Sequence, residues 1–424
     1  MKRLVLSFLL VICTCGLFAQ SLDKAKEDLK ANKLMDAKAD IDKVLADPKG
    51  QKMPEAWFVK SKIYSAIGGN DQLRAQVPDA LEQSFEAMKK YIATDDKLLL
   101  ALMQEQYKPM TDIYTAYFQA GAASYNSGKY SEALADFQGA LGAIGFMAQK
   151  GWVKNSLDTT STLYAGISAE KANKRDDAAK YYGTIVDSGV TKIGGNDMLD
   201  IYKWVVDYYV QKKDDPNTAK YLALAEKTYP DDLFWYETEL DLARKSGNKD
   251  SLFARYDRIT AKFPTNNVFF YNYGLEMYQY GIDSSSGKRP PNSEELIKKG
   301  RDYIAKSLAI KPDYPQAALT LGQIVYNEGV DLQSQSKAIK GTKPEDVKKR
   351  ADLRTQSIKK FDEALPYFEK IDQSLGTKGK LKADEKKILK DTYDIMITIY
   401  EVKNQKDKME LYTNKFNNVD KDHS

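Results

Sequence analysis

Residues 117–141 read YFQAGAASYNSGKYSEALADFQGAL. Apolar and small side chains recur at helical spacing on both sides of Ser127-Gly128-Lys129, which ends one helix and opens another. The segment therefore describes two short amphipathic helices joined by a tight turn. Gly121 and Ala133 let the two backbones approach, while Tyr117, Tyr130 and Phe137 supply bulk. The same order returns downstream, where Gly166, Ala178 and Tyr182 each lie 45 residues after Gly121, Ala133 and Phe137. Helical periodicity runs nearly throughout the chain. No long segment alternates apolar and polar residues as a half-buried strand does.

With Gly128 and Ala140 also in phase, this pattern resembles the tetratricopeptide repeat (TPR), a helix pair of about 34 residues. Pro230 and Pro264 lie 34 residues apart and each follows an aromatic at a helix end. Phe270-Tyr271-Asn272-Tyr273-Gly274 opens a further unit and Leu321-Gly322 another. Leu22–Ala46, broken near Asn32, and Ala56–Thr94 read as weaker pairs, and Asp391–Asn417 as the last. Two insertions interrupt the array. One is the loop at 283–292, which lengthens the Pro264-to-Pro312 spacing to 48 residues. The other, at 330–360, separates Gly322 from Ala364 by 42 residues rather than 12 and is expected to extend both helices of its pair. The resemblance implies an all-α, TPR-like α-solenoid, a right-handed superhelix of about eight antiparallel helix pairs. The expected divisions are helical repeats at 20–112, a central array at 113–318, C-terminal units at 319–417 and a disordered tail at 418–424.

Residues 1–19, MKRLVLSFLLVICTCGLFA, have the charged start and short apolar run of a secretory signal peptide, with cleavage expected after Ala19. The alternative is a lipoprotein acylated at Cys15, although Thr14 is a poor residue to precede an acylated cysteine. The expected location is the periplasm of a Gram-negative bacterium, with possible peripheral outer-membrane association. The chain has 424 residues, one histidine (His423) and two cysteines (Cys13 and Cys15). Both cysteines lie within the leader, so the remaining chain lacks thiols and has its one imidazole at the extreme C-terminus. That composition excludes Ser-His-Asp and Cys-His nucleophiles, His/Cys zinc sites, haem and iron–sulfur ligation. Gly376-Thr377-Lys378-Gly379-Lys380 lacks the spacing of a phosphate-binding loop. Asp95-Asp96, Asp214-Asp215 and Asp231-Asp232 fall where carboxylates cap helix starts. Neither an enzyme nor a cofactor is expected, nor a nucleic-acid partner for an exported protein.

Net charge is +4, distributed unevenly. Residues 337–390 carry sixteen Lys and Arg against nine Asp and Glu. This stretch reads either as a solvated helical face or as an attractant for anionic headgroups or an acidic partner.

An array of helix pairs presents the first helix of each pair along a groove. A Tyr followed by an amide recurs just after the first-helix Gly in three units: Tyr125-Asn126, Tyr278-Gln279 and Tyr326-Asn327. Phe118, Tyr271, Leu319 and Gln323 fall nearby. Tyr and amide side chains suit an extended peptide, whereas the plain alternative has the tyrosines packing on neighbouring helices. The expected function is a non-catalytic scaffold or adaptor that binds another envelope protein. The alternative is an outer-membrane-associated glycan-binding protein of the starch-utilisation type, and those proteins use Trp for sugar stacking.

Overall fold

The computed structural model describes residues 20–94, 97–154, 157–283 and 288–424. The expected signal peptide, Cys13, Cys15, Asp95-Asp96 and the centre of the 283–292 loop lie outside those residues. The chain divides into two compact units between Trp235 and Tyr236. The divisions expected at 112/113 and 318/319 mark groupings of repeats and fall within these units.

The first unit opens with α1 (residues 20–30) and α2 (Leu34–Leu45), followed by α3 (Pro54–Gly68), the one-turn α4 (Asp71–Arg74) and α5 (Ala80–Thr94). Next come α6 (Lys97–Gln104), the pair α7 (Lys108–Asn126) and α8 (Tyr130–Gln149), and the pair α9 (Thr159–Lys171) and α10 (Arg175–Asp187). A two-residue hairpin, β1 (Lys192–Ile193) with β2 (Asn196–Asp197), precedes α11 (Leu199–Lys212) and α12 (Asp215–Thr228). The unit boundary falls inside α13 (Leu233–Lys245). The second unit continues with α14 (Lys249–Lys262), α15 (Asn267–Ile282), α16 (Ser293–Ile310), α17 (Pro315–Ala338), α18 (Pro344–Leu375), α19 (Ala383–Val402) and α20 (Lys406–Asp422). The architecture is an all-α, TPR-like solenoid type. The described residues form nine pairs, five in the first unit and four in the second, against about eight expected.

Local chemistry accounts for the pairs. At Asn32, Gly128, Asn173, Lys213, Gly247 and Asn404 the backbone between paired helices takes a positive φ of 56–74°. This is the left-handed residue that ends a helix and turns the chain back. Around Gly128 the turn is closed by Lys129 N–H donating to the Ser124 carbonyl at 2.9 Å. Side chains then start several second helices: Asp214 accepts from Asn217 N–H at 3.1 Å and Asn248 from Ser251 N–H at 2.9 Å.

The glycines of the repeat pattern are close-approach sites. A Cβ on Gly166 would lie 2.5 Å from the Tyr182 ring, and one on Gly322 would lie 2.7 Å from Phe368. The first unit's core gathers Ile41, Ile63, Met88, Ile113 and Ala140, and the second's gathers Phe361, Phe368, Leu389 and Met396.

The 330–360 insert lengthens α17 and α18 rather than forming a separate element. The expected disordered tail is instead the end of α20. His423 is 6% exposed, its Nδ1 lies 2.6 Å from the Lys378 carbonyl, and its own carbonyl accepts from Leu381 N–H at 3.4 Å. Packing on the 376–381 turn orders a segment whose composition alone looked like a tail.

Candidate binding groove

The first helices α1, α3 and α7 border a cavity of about 540 Å³ in the first unit. Leu29 comes from α1, Lys62, Ser65 and Ala66 from α3, and Asp112, Thr115 and Gln119 from α7. Small side chains on α3 and α7 (Ser61, Ser65, Ala66, Thr115 and Ala116) leave room between the longer ones. Ile63-Tyr64-Ser65-Ala66 and Ile113-Tyr114-Thr115-Ala116 are equivalent stretches 50 residues apart. In each, the Ile is buried, the Tyr is engaged with a carboxylate, and the Ser or Thr with the Ala faces the opening. This recurrence was readable in the sequence. It is carried by small side chains and lies outside the Tyr-amide pattern.

Tyrosine hydroxyls fix the helices that frame the cavity. Tyr64 donates to both Asp42 oxygens at 2.7 Å, tying α3 to α2. Tyr114 donates to Asp158 at 2.7 Å, and the other Asp158 oxygen accepts from Ser161 N–H at 3.0 Å, tying α7 to the start of α9. Burial first and the Asp158 carboxylate second push the Tyr114 hydroxyl up to about 12, so it remains a donor at ordinary pH.

The cavity itself is weakly charged. Asp112 is held by Lys108 at 2.6 Å, and Lys62 lies 4.6 Å from the centre of the Phe58 ring. Among the described residues, the side chains of Ser65, Thr115 and Gln119 make no hydrogen bond within the protein. The arrangement offers hydroxyl and amide groups beside Leu29, Ala66 and Ala116, which suits a polar backbone with small side chains. No three His, Cys, Asp or Glu side chains group as metal ligands among the described residues.

None of the aromatic and amide residues singled out from the sequence lines this cavity. Phe118 and Tyr125 meet through Tyr164 of α9, with ring centres 6.5 and 6.0 Å from it. Tyr164 itself stacks on Phe137 at 5.6 Å and is 37% exposed, so this cluster borders solvent. In the second unit, the Tyr271 hydroxyl lies 3.2 Å from Thr320 Oγ1 and its ring meets Tyr314 edge-on at 5.4 Å. Tyr278 is half-buried against the cluster of Ile304, Leu321 and Ile324. Burial raises its pKa, against a lowering by the Arg301 charge. Tyr326 packs on Phe361 with ring centres 5.4 Å apart. Leu319 is buried and Gln323 half-buried, whereas Asn126, Gln279 and Asn327 are exposed. The Tyr-amide repeats thus place one half-buried ring against a neighbouring helix and one free amide beside it.

The fold defines the class as an all-α TPR-like array. No family model matches the chain, and no curated protein matches it. Among solved structures it is similar to the crystallised P58(IPK) TPR domain, at 14% identity over 95% of this chain and 99% of that one, with a TM-score of 0.26. It is also similar to the human IFIT1 dimer with m7Gppp-AAAA, at 11% identity, 84% and 89% coverage, and a TM-score of 0.25. A third is the APC/C hetero-tetramer Cut9-Hcn1, at 12% identity, 94% and 79% coverage, and a TM-score of 0.22.

Proposed function

We propose that this chain is a non-catalytic protein-interaction scaffold or adaptor of the bacterial cell envelope, holding an extended segment of a partner protein along α1, α3 and α7. The observation that carries the reading is the cavity of about 540 Å³ bordered by three successive first helices, with Ser65, Thr115 and Gln119 free to bond a peptide backbone. Envelope location rests on residues 1–19, which have the composition of an export leader. Mass spectrometry of protein from the envelope fraction should find a chain starting at Gln20. Label from palmitate entering through Cys15 would instead give a lipid-anchored protein.

Three of the four tryptophans favour this reading over glycan capture. Lys90 lies 4.2 Å from the centre of the Trp57 ring, Trp152 stacks on Tyr107 at 4.6 Å, Trp204 stacks on Tyr208 at 5.4 Å, and Trp235 is 1% exposed. Trp152, Trp204 and Trp235 are engaged within the protein, whereas Trp57 also borders a cleft of about 290 Å³ with Lys60, Glu82 and Glu86 and is the ring left for a sugar.

The test is photo-crosslinking from position 62, which also borders the cavity, in intact cells, together with the groove-filling pair Ser65→Trp and Gln119→Trp. The expected result is a crosslinked partner whose capture both substitutions abolish while helicity is unchanged. Unimpaired capture by well-folded variants would remove the groove from the function. Calorimetric binding of an oligosaccharide that the same substitutions leave intact would favour the glycan reading.

A further inference from the structure

The extension of α17 and α18 serves no visible purpose in the core. Ser357 Oγ donates to the Gly329 carbonyl at 2.7 Å, and a Cβ on Gly329 would meet the Phe361 ring at 2.6 Å. Between Gly329 and Ser357 no residue is buried. Residues 331–338 of α17 and 344–356 of α18 therefore project about 12–20 Å beyond the last core contact, which Val330 makes. The projection is nonetheless built to hold its shape. Ser336 Oγ donates to the Arg350 carbonyl at 2.9 Å, and the Arg350 guanidinium bonds the carbonyls of Ile339 and Gly341 across the turn. The Asp346 carboxylate folds back over Gly341, where an added Cβ would lie 2.0 Å from its Oδ2.

These contacts turn Arg350 and Asp346 inward and leave the lysines outward. Lys337, Lys340, Lys348, Lys349 and Arg354 are exposed, and among the described residues none has a carboxylate within 4.0 Å. Lys343 reaches Glu345 only at 4.0 Å. Glu345 and Asp352 weaken the field without reversing it, because residues 337–354 carry a net +4. At the crest, between Lys343 and Lys348, Val347 is 47% exposed. No Phe, Tyr or Trp occurs from Asn327 to Lys360.

We infer that this hairpin is a docking tip for an anionic phospholipid surface. The tip is convex, rich in lysine and free of aromatic residues. Protein interfaces are depleted in Lys and enriched in aromatics, whereas a bilayer of anionic headgroups binds a polybasic tip through charge alone. Val347 lies where the crest would meet the headgroup layer. The inference stands apart from the groove, since it uses a different unit and a different ligand.

The test is co-sedimentation of the full chain, with and without residues 1–19, with phosphatidylcholine vesicles and with vesicles that also contain phosphatidylglycerol. Binding is expected only with phosphatidylglycerol and should fall steeply as salt is raised. Each lysine near such a surface weighs about fivefold in affinity. Lys340, Lys343, Lys348 and Lys349 changed together to Gln should therefore weaken binding about a hundredfold or more, with melting unchanged. The smaller variants Lys348→Gln and Val347→Ser should each weaken it several-fold and cover the case in which the fourfold variant folds poorly. Equal binding to both vesicle types, or variants that bind like the parent, would overturn the inference. So would tight binding of a polyglutamate peptide in the absence of any vesicle binding, since that would make the tip a site for acidic protein.

Discussion

Asp372 shows how single side chains hold this array together. Its carboxylate takes the Lys415 ammonium at 2.7 Å, the Tyr393 hydroxyl at 2.6 Å and the Tyr412 hydroxyl at 3.4 Å, joining α18 to α19 and α20. The same device, a tyrosine donating to a carboxylate on a neighbouring helix, appears at Tyr182–Glu170, Tyr208–Asp176 and Tyr273–Asp257, at 2.6–2.9 Å. Replacing Asp372 by Ala strands two largely buried hydroxyls and an ammonium, so chemical denaturation should show a loss of about 1–3 kcal/mol. Gly166→Ala should cost about as much for a steric reason, since the Tyr182 ring fills the place of the new methyl. Glu276 supplies a pH dependence. Burial alone would raise its pKa, but Arg244 at 2.7 Å and Lys249 at 3.0 Å hold it below the ordinary glutamate value. Its stabilising contribution is therefore complete above the unfolded pKa of about 4.3 and fades as pH falls through the lower folded value. Glu276→Gln should be less stable than the parent at neutral pH, and the two should converge in acid unfolding titrations.

At the scale of elements, α18 departs from its neighbours. Pro230 and Pro264 follow helix ends, yet Pro366 sits inside α18, which continues to Leu375. An interior proline removes one backbone hydrogen bond and normally costs about 3 kcal/mol. Phe361, Ala364, Leu365 and Phe368 are all buried on either side of it, and that burial outweighs the local penalty. Pro366 itself is exposed, so Pro366→Ala loses no packing and restores a donor. Thermal and chemical denaturation should show a variant about 1–3 kcal/mol more stable. A lower stability would mean that the helix is bent there to fit its neighbours. The hairpin of β1 and β2 is the other local surprise, turned by Gly194 and Gly195 with φ of 57° and 85°. Its two-residue strands are too short to leave an alternating pattern.

At the scale of the molecule, the two units each consist of pairs that contact chiefly the pairs beside them. Stability in such an array is local, so damage should spread little beyond adjacent pairs. Hydrogen exchange of Gly166→Ala should show faster exchange in α9, α10 and their neighbours, with α19 and α20 unchanged. Uniform acceleration along the chain would mean that the array unfolds as one cooperative body. The 540 Å³ cavity also belongs to this scale, because no single pair forms it.

The repeat class, most of the helices, the turns at Asn32 and Gly128 and the lengthening of α17 and α18 were all legible in the sequence. Each depends on a property confined to a few neighbouring residues: helical period, a left-handed turn residue, or a glycine where two backbones touch. The tertiary structure alone decided which carboxylate each tyrosine meets and that His423 is buried. It also decided that α18 runs through Pro366 and that the cavity between α1, α3 and α7 faces Ser65 and Thr115. These outcomes depend on the register between helices distant in the chain. Burial there is set by what the neighbouring pair presents, and the residue's own chemistry does not carry that information.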